Sequence, residues 1–139
     1  MGILLLAGAG ASGDGFPDAS NTGVPAGSSL TPHSGDISSS ANDQVIELLD
    51  QSGIIEVTHD RVTVRKCRIN GPGGTGNFVV VWVKGNDCVI EDCENTNGVG
   101  GGKCIWMEGV TGCTVQRCDL SDAEDGVYMS GSGHTIQDN

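Results

Sequence analysis

Four copies of one six-residue block run through the second half of this chain, and they leave few folds open to it. The copies are Val62-Thr-Val-Arg-Lys-Cys67, Cys88-Val-Ile-Glu-Asp-Cys93, Cys113-Thr-Val-Gln-Arg-Cys118 and His134-Thr-Ile-Gln-Asp-Asn139. Their starts lie 26, 25 and 21 residues apart. A shorter block precedes each copy: Ile55-Glu-Val57, Val81-Trp-Val83, Ile105-Trp-Met107 and Val127-Tyr-Met129. In three of the four a glycine follows two residues later, at Gly85, Gly109 and Gly131. Two blocks kept in step at a period in the twenties mark a stacked repeat, in which each unit buries its apolar side only against its neighbours.

The blocks are short, β-branched and punctuated by glycine, serine, asparagine and aspartate, which predicts strands and turns. No long segment carries the 3.6-residue apolar period of a surface helix; residues 42–51 are the one helix-like window. If successive coils pair as parallel strands, equivalent residues fall into columns about 4.8 Å apart. Val64, Ile90, Val115 and Ile136 form one inward column. Ile55, Val81, Ile105 and Val127 form a second, and Val57, Val83, Met107 and Met129 a third. Strand side chains alternate, so Glu56, Trp82, Trp106 and Tyr128 lie between the last two columns and face outward. That file serves either to brace neighbouring strands or to offer aromatic rings to a sugar. Lys66, Asp92, Arg117 and Asp138 form a column of alternating sign, suited to cross-strand pairing that fixes register. The cysteines also align: Cys67, Cys93 and Cys118 in one corner position, Cys88 and Cys113 in another, with Cys104 apart. A ladder of compact buried thiols and disulfides between adjacent coils are the two readings that fit. Zinc fits poorly, because no C-x2-C pair is present.

Charge narrows the partners. Eighteen acidic residues against seven basic give a net charge of −11, the opposite of what nucleic acid attracts. Residues 1–15 read as a signal-like or disordered leader, apolar at the start but without a basic opening and too short to span a bilayer. Secretion, with no membrane insertion, is the expected location. Residues 16–139 read as one domain. Residues 16–52 are expected to supply an N-terminal cap and the first coil, with Phe16, Val24 and Leu30 covering the open edge. Residues 53–139 supply the regular coils. Each coil is expected to hold two strands and a variable excursion, at residues 70–77, 95–103 and 121–125. No closing cap follows Asn139, so a longer protein is expected.

These features resemble the right-handed parallel β-helix proteins of the pectate-lyase-like superfamily. The generic block of that family is plainest in His134-Thr-Ile-Gln-Asp-Asn139, where Asn139 matches its stacked asparagines and Cys67, Cys93 and Cys118 depart from them. The lead-in Phe16-Pro-Asp-Ala-Ser-Asn-Thr-Gly-Val-Pro-Ala-Gly27 resembles the opening of secreted bacterial and phage-tail members. The resemblance implies an all-β, right-handed parallel β-helix of about four to five coils. It does not imply an activity, since the family holds lyases, hydrolases, epimerases, tailspikes and adhesins. The Trp-x-Asp-His and Arg-x-Pro-x-x-Arg blocks of pectate lyases, the paired aspartates of galacturonan hydrolases and the Asp-Pro-His of alginate epimerases are missing from the sequence.

Two places remain for function. One is the aromatic file at Trp82, Trp106 and Tyr128, with Glu108 beside Trp106 and one coil before the acidic loop, able to join it if that loop folds over the face. The other is the acidic stretch Asp119-Leu-Ser-Asp122-Ala-Glu124-Asp125. Such carboxylates suit a solvated loop, calcium, which takes oxygen ligands, or an acid–base pair on a sugar. Trp82, Trp106, Tyr128, Glu108, Asp122, Glu124 and Asp125 are therefore the candidate substrate-binding residues, with no metal site assigned and calcium the one cofactor considered. The expected function is a secreted β-helix module that binds or processes a polysaccharide. The alternative is a non-catalytic structural β-helix of a phage tail or cell-surface appendage, with a homotrimer as the assembly considered.

Overall fold

A computed structural model of the chain describes residues 15–73, 78–98 and 100–139. The leader up to residue 14 and part of the first glycine-rich excursion fall outside those residues. Among the described residues no helix is long and apolar enough to cross a membrane.

The chain coils into five rungs of three short strands. The first rung is β1 (Thr31–Ser34), β2 (Ile37–Ser38) and β3 (Val45–Glu47); the second is β4 (Leu49–Ser52), β5 (Ile55–Val57) and β6 (Thr63–Arg65). The third is β7 (Arg68–Asn70), β8 (Val79–Val83) and β9 (Val89–Glu91). The fourth is β10 (Glu94–Thr96), β11 (Lys103–Thr111) and β12 (Thr114–Gln116); the fifth is β13 (Asp119–Ser121), β14 (Asp125–Ser132) and β15 (Thr135–Gln137). Corresponding strands of successive rungs pair, giving three five-stranded sheets whose strands run parallel. This is a parallel β-solenoid, as the repeat requires.

The inward columns close as read through the fourth rung; in the fifth, Val127 is only partly buried and Met129 and Ile136 are exposed, because no further rung covers them. Val64, Val115, Ile55, Val81, Ile105, Val57, Val83 and Met107 are wholly buried, and Ile90 nearly so. Register confirms the alignment: Ile90 stands opposite Val64 and Val115, and Trp82 opposite Trp106 and Glu56. Apolar burial along this axis is the main stabilising contribution. Two departures concern the rung itself. It has three strands, because the residues that lead from the second corner into each excursion form β7, β10 and β13. The first rung also begins earlier, with Thr31–Ser34 already paired to Leu49–Ser52.

The corners explain the charged column. Leu48, Lys66, Asp92, Arg117 and Asp138 all adopt left-handed backbone, with φ between 53° and 59°. Asp43, Arg61 and Asp87, followed by Gly112 and Gly133, do the same at the next corner. One left-handed residue turns the chain sharply while its N–H still reaches the next rung, as from Lys66 to the Glu91 carbonyl at 3.2 Å. Non-glycine residues resist this conformation, and the stack holds them in it. Sign alternation does pair Arg117 with Asp92, at 2.8 Å. Other bridges also join neighbouring rungs: Arg61 to Asp43, Arg65 to Glu47, Arg68 to Glu94 and Lys84 to Glu56.

The hydrogen bonds from Arg61 and Arg65 are the first cause holding Asp43 and Glu47 below the ordinary carboxylate range. A carboxylate whose pKa falls on folding stabilises the fold above its unfolded pKa. That contribution disappears as pH drops through the folded value. Wild type should therefore melt a few degrees above an Arg61→Gln/Arg65→Gln variant at neutral pH. The gap should stay constant down to about pH 5 and close below about pH 4. A gap unchanged at pH 3 in a thermal scan would show that these pairs contribute nothing.

The lead-in departs from the capping expectation. Residues 18–22 form a tight turn in which Asp18 accepts bonds from Ser20, and Thr22 bonds back to the Asp18 carbonyl. Gly23, φ 80°, then donates its N–H to the Arg117 carbonyl at 2.9 Å. This part of the lead-in therefore lies against the last two rungs and reaches back to the first only at Thr31. Gly23 is what allows the approach, since a Cβ there would sit 3.0 Å from Glu94 Cγ. Phe16 is 93% exposed and covers no edge.

Candidate functional site

The aromatic file lies on the outer face of the sheet formed by β2, β5, β8, β11 and β14. Inward valines, isoleucines and methionines on either side hold each aromatic residue outward. Trp82 and Trp106 stack with centroids 5.2 Å apart and planes 10° from parallel. Tyr128 meets Trp106 at 6.0 Å and 88°. Rungs stacked in register thus set the two indoles face to face along the solenoid axis, with their edges toward solvent.

Two lysines complete the file, and the sequence reading did not include them. Lys84 Nζ lies 3.7 Å over the Trp82 ring and bonds Glu56 of the preceding rung at 2.6 Å. It therefore covers the Trp82 face turned away from Trp106. Lys103 Nζ stands 5.3 Å from Trp106 and 4.9 Å from Tyr128, and Lys103 itself is almost buried. Lys84 was legible, because it sits two residues past Trp82 and so shares its face. Lys103 was not, because its odd spacing from Trp106 predicts the opposite face. Cation–π contacts of this kind stabilise by about 0.5–1 kcal/mol where exposed.

Glu108 lies on the same outer face, where its Oε2 accepts the Trp82 Nε1–H at 2.9 Å across one rung. The acidic stretch sits elsewhere. Its backbone stacks on the glycine-rich turn of the rung before it, with Glu124 and Asp125 N–H both bonded to the Gly102 carbonyl. Asp122 has φ 53° and accepts a bond from Thr96 Oγ1 at 3.3 Å. The loop is thus a corner of the coil. Asp125 approaches the file only by opening β14, opposite Lys103 and three residues before Tyr128. Among the described residues no group of three or more histidines, cysteines and carboxylates is placed to hold a metal ion.

A cleft of about 400 Å³ opens away from the file, between Asp18 and Thr22 of the lead-in and Asp119, Leu120 and Asn139 of the last rung. Asn139 caps that corner, accepting the Cys118 N–H at 2.8 Å. Comparison with protein-family models, with curated proteins and with solved structures finds no match. The class rests on the coil itself: a parallel β-solenoid of five rungs carrying one aromatic file.

Proposed function

We propose that the protein is a rigid, non-catalytic β-solenoid module, the structural part of a secreted or surface appendage of phage-tail or adhesin type. The observation that carries this reading is the closure of the aromatic file on itself. Trp106 and the Lys84 ammonium cover the two faces of Trp82, so the ring surface that would stack on a sugar already binds the neighbouring rungs. The ion pairs between rungs support the same reading, since they brace one rung against the next. A stiff rod of coupled rungs is what an extended appendage requires, and the resemblance to β-helix proteins of that kind agrees with it.

A second reading rests on Tyr128, which is 47% exposed with Lys103 Nζ 4.9 Å from its ring. A polysaccharide would then lie along the outer edge of the file, reaching Asp122, Glu124 and Asp125 at the sheet margin. One pair of variants separates the two. On the structural reading Trp106→Ala empties the middle of the file and costs about 1–2 kcal/mol in denaturant unfolding, while wild type retains no glycan on an array. Glycan retention by wild type that Tyr128→Ala abolishes at unchanged stability would replace it with the polysaccharide reading.

A further inference from the structure

The coil places five of the six cysteines in two files. Each of the five comes directly after a left-handed corner residue: Cys67, Cys93 and Cys118 after Lys66, Asp92 and Arg117, Cys88 and Cys113 after Asp87 and Gly112. All six are free and buried. The aromatic file and the ion pairs make no use of them.

The second file is a closed pair, with Val62 before Cys88 and His134 after Cys113, so each of its two thiols has one thiol partner. Val89 stands opposite Thr114, so Cys88 and Cys113, one residue earlier, face each other across adjacent rungs. Thr114 N–H bonds the Cys88 carbonyl at 2.9 Å, which pins the two corners together. A rung spacing of about 4.8 Å falls inside the roughly 4.4–6.8 Å between Cα atoms that a disulfide spans. Each thiol bonds a carbonyl of the preceding rung, Cys88 that of His59 at 3.3 Å and Cys113 that of Gly85 at 3.5 Å, which sets the two sulfurs in the same corner. The neighbouring Cys88 thiol is the first cause holding Cys113 well below an ordinary thiol, against the opposing effect of burial. The same neighbour contact, with burial second, raises Cys88. His134 continues the file, its Nδ1 accepting the Cys113 N–H at 3.3 Å. In the first file Cys93 stands between two cysteines and is pushed up first by burial, while Cys67 and Cys118 are lowered first by their contact with it. Cys104 stands outside both files, its thiol bonded to the Asn95 carbonyl at 3.3 Å.

The geometry points to Cys88 and Cys113 as a redox pair that closes into a disulfide between the third and fourth rungs, with a peroxide as oxidant. The Cys113 thiolate, the nucleophilic form, attacks one oxygen of hydrogen peroxide. The O–O bond breaks, and the leaving hydroxide takes a proton to become water. The sulfenic acid formed on Cys113 is then attacked by the Cys88 sulfur, whose proton leaves with the hydroxyl as a second water. Two thiols and one peroxide thus give one disulfide and two waters. The bond ties the third rung to the fourth at a corner whose ion pair among the described residues, Arg61 with Asp43, joins only the first two rungs.

The test uses the whole chain. It is treated with a few equivalents of hydrogen peroxide, alkylated under denaturing conditions, and cut with trypsin and a glutamate-specific protease. Cleavage after Glu91 separates Cys88 from Cys93, and cleavage after Glu108 separates Cys104 from Cys113. The expected product is a cross-linked Cys88–Cys113 peptide that forms before any other. The thermal midpoint should rise on the order of 10 °C and return to its starting value with dithiothreitol. In Cys88→Ser, which keeps a small hydroxyl in the file, Cys113 should stay as a sulfenic acid that dimedone traps. Cross-links confined to Cys67, Cys93 and Cys118 would overturn the proposal. So would a Cys113 that resists both cross-linking and dimedone while Cys104 or Cys93 reacts.

Discussion

Gly85→Ala and Gly131→Ala are each expected to cost about 3 kcal/mol or more, whereas Gly109→Ala costs about 1 kcal/mol. The three glycines hold the same place in the repeat, so sequence alone predicts one effect for all. The structure separates them. A Cβ on Gly85 would fall inside the His59 carbonyl, and one on Gly131 inside the Val110 carbonyl. In both cases the obstacle is backbone of the preceding rung, which moves only if the two rungs part. Gly109 has nothing within 4 Å. It sits where the register slips between Met107 and Val110, with φ 62°, so alanine there meets only backbone strain. In thermal melts the first two variants should fall by roughly 10 °C and the third by only a few degrees. Equal losses for all three would mean that close rung approach is not what selects glycine here.

Asn95→Leu is expected to work in the opposite direction and stabilise the fold by about 2 kcal/mol. Asn95 points into the core from β10, is 1% exposed, and neither its amide nitrogen nor its amide oxygen has a hydrogen-bond partner. Gln51, in the same column two rungs earlier, shows the contrast: it is buried as well, but bonds the Gly35 carbonyl at 2.6 Å and His33 Nδ1 at 2.8 Å. Leucine has the same branched outline as asparagine and would lie between Ile69 and Leu120, its neighbours in register. Chemical denaturation with an unchanged m-value should show the gain. A loss in Asn95→Leu would mean that the amide has a role in holding the turn at residues 97–102.

That same column shows why a third of the coil was hard to read in the sequence. The other two sheets present valine, isoleucine and methionine inward at every rung, and their spacing is plain. The sheet of β1, β4, β7, β10 and β13 presents His33, Gln51, Ile69, Asn95 and Leu120. Hydrophobic periodicity cannot find a strand whose inward residues are mostly polar, so its residues read as the beginnings of loops. The left-handed corners were hidden for a related reason. Lys66 and Arg117 favour no such conformation themselves, and only the stack imposes it. In the site, Glu108 and the three aromatics were legible from strand alternation. The orientation of the indole faces was not, because it depends on Lys84 reaching down to Glu56.

The strap formed by the lead-in changes how the molecule should come apart. A solenoid is nearly one-dimensional: each rung feels only its neighbours, and its ends fray independently. Here the Gly23 N–H is held by the Arg117 carbonyl, so the first described segment of the chain closes on almost the last. That contact reaches across three rungs in a fold otherwise built of steps between adjacent ones, and loop-closure entropy makes it slower to form than they are. The turn at residues 18–23 has no place to dock until the fourth rung exists, so this strap forms after the rungs it closes although it precedes them in sequence.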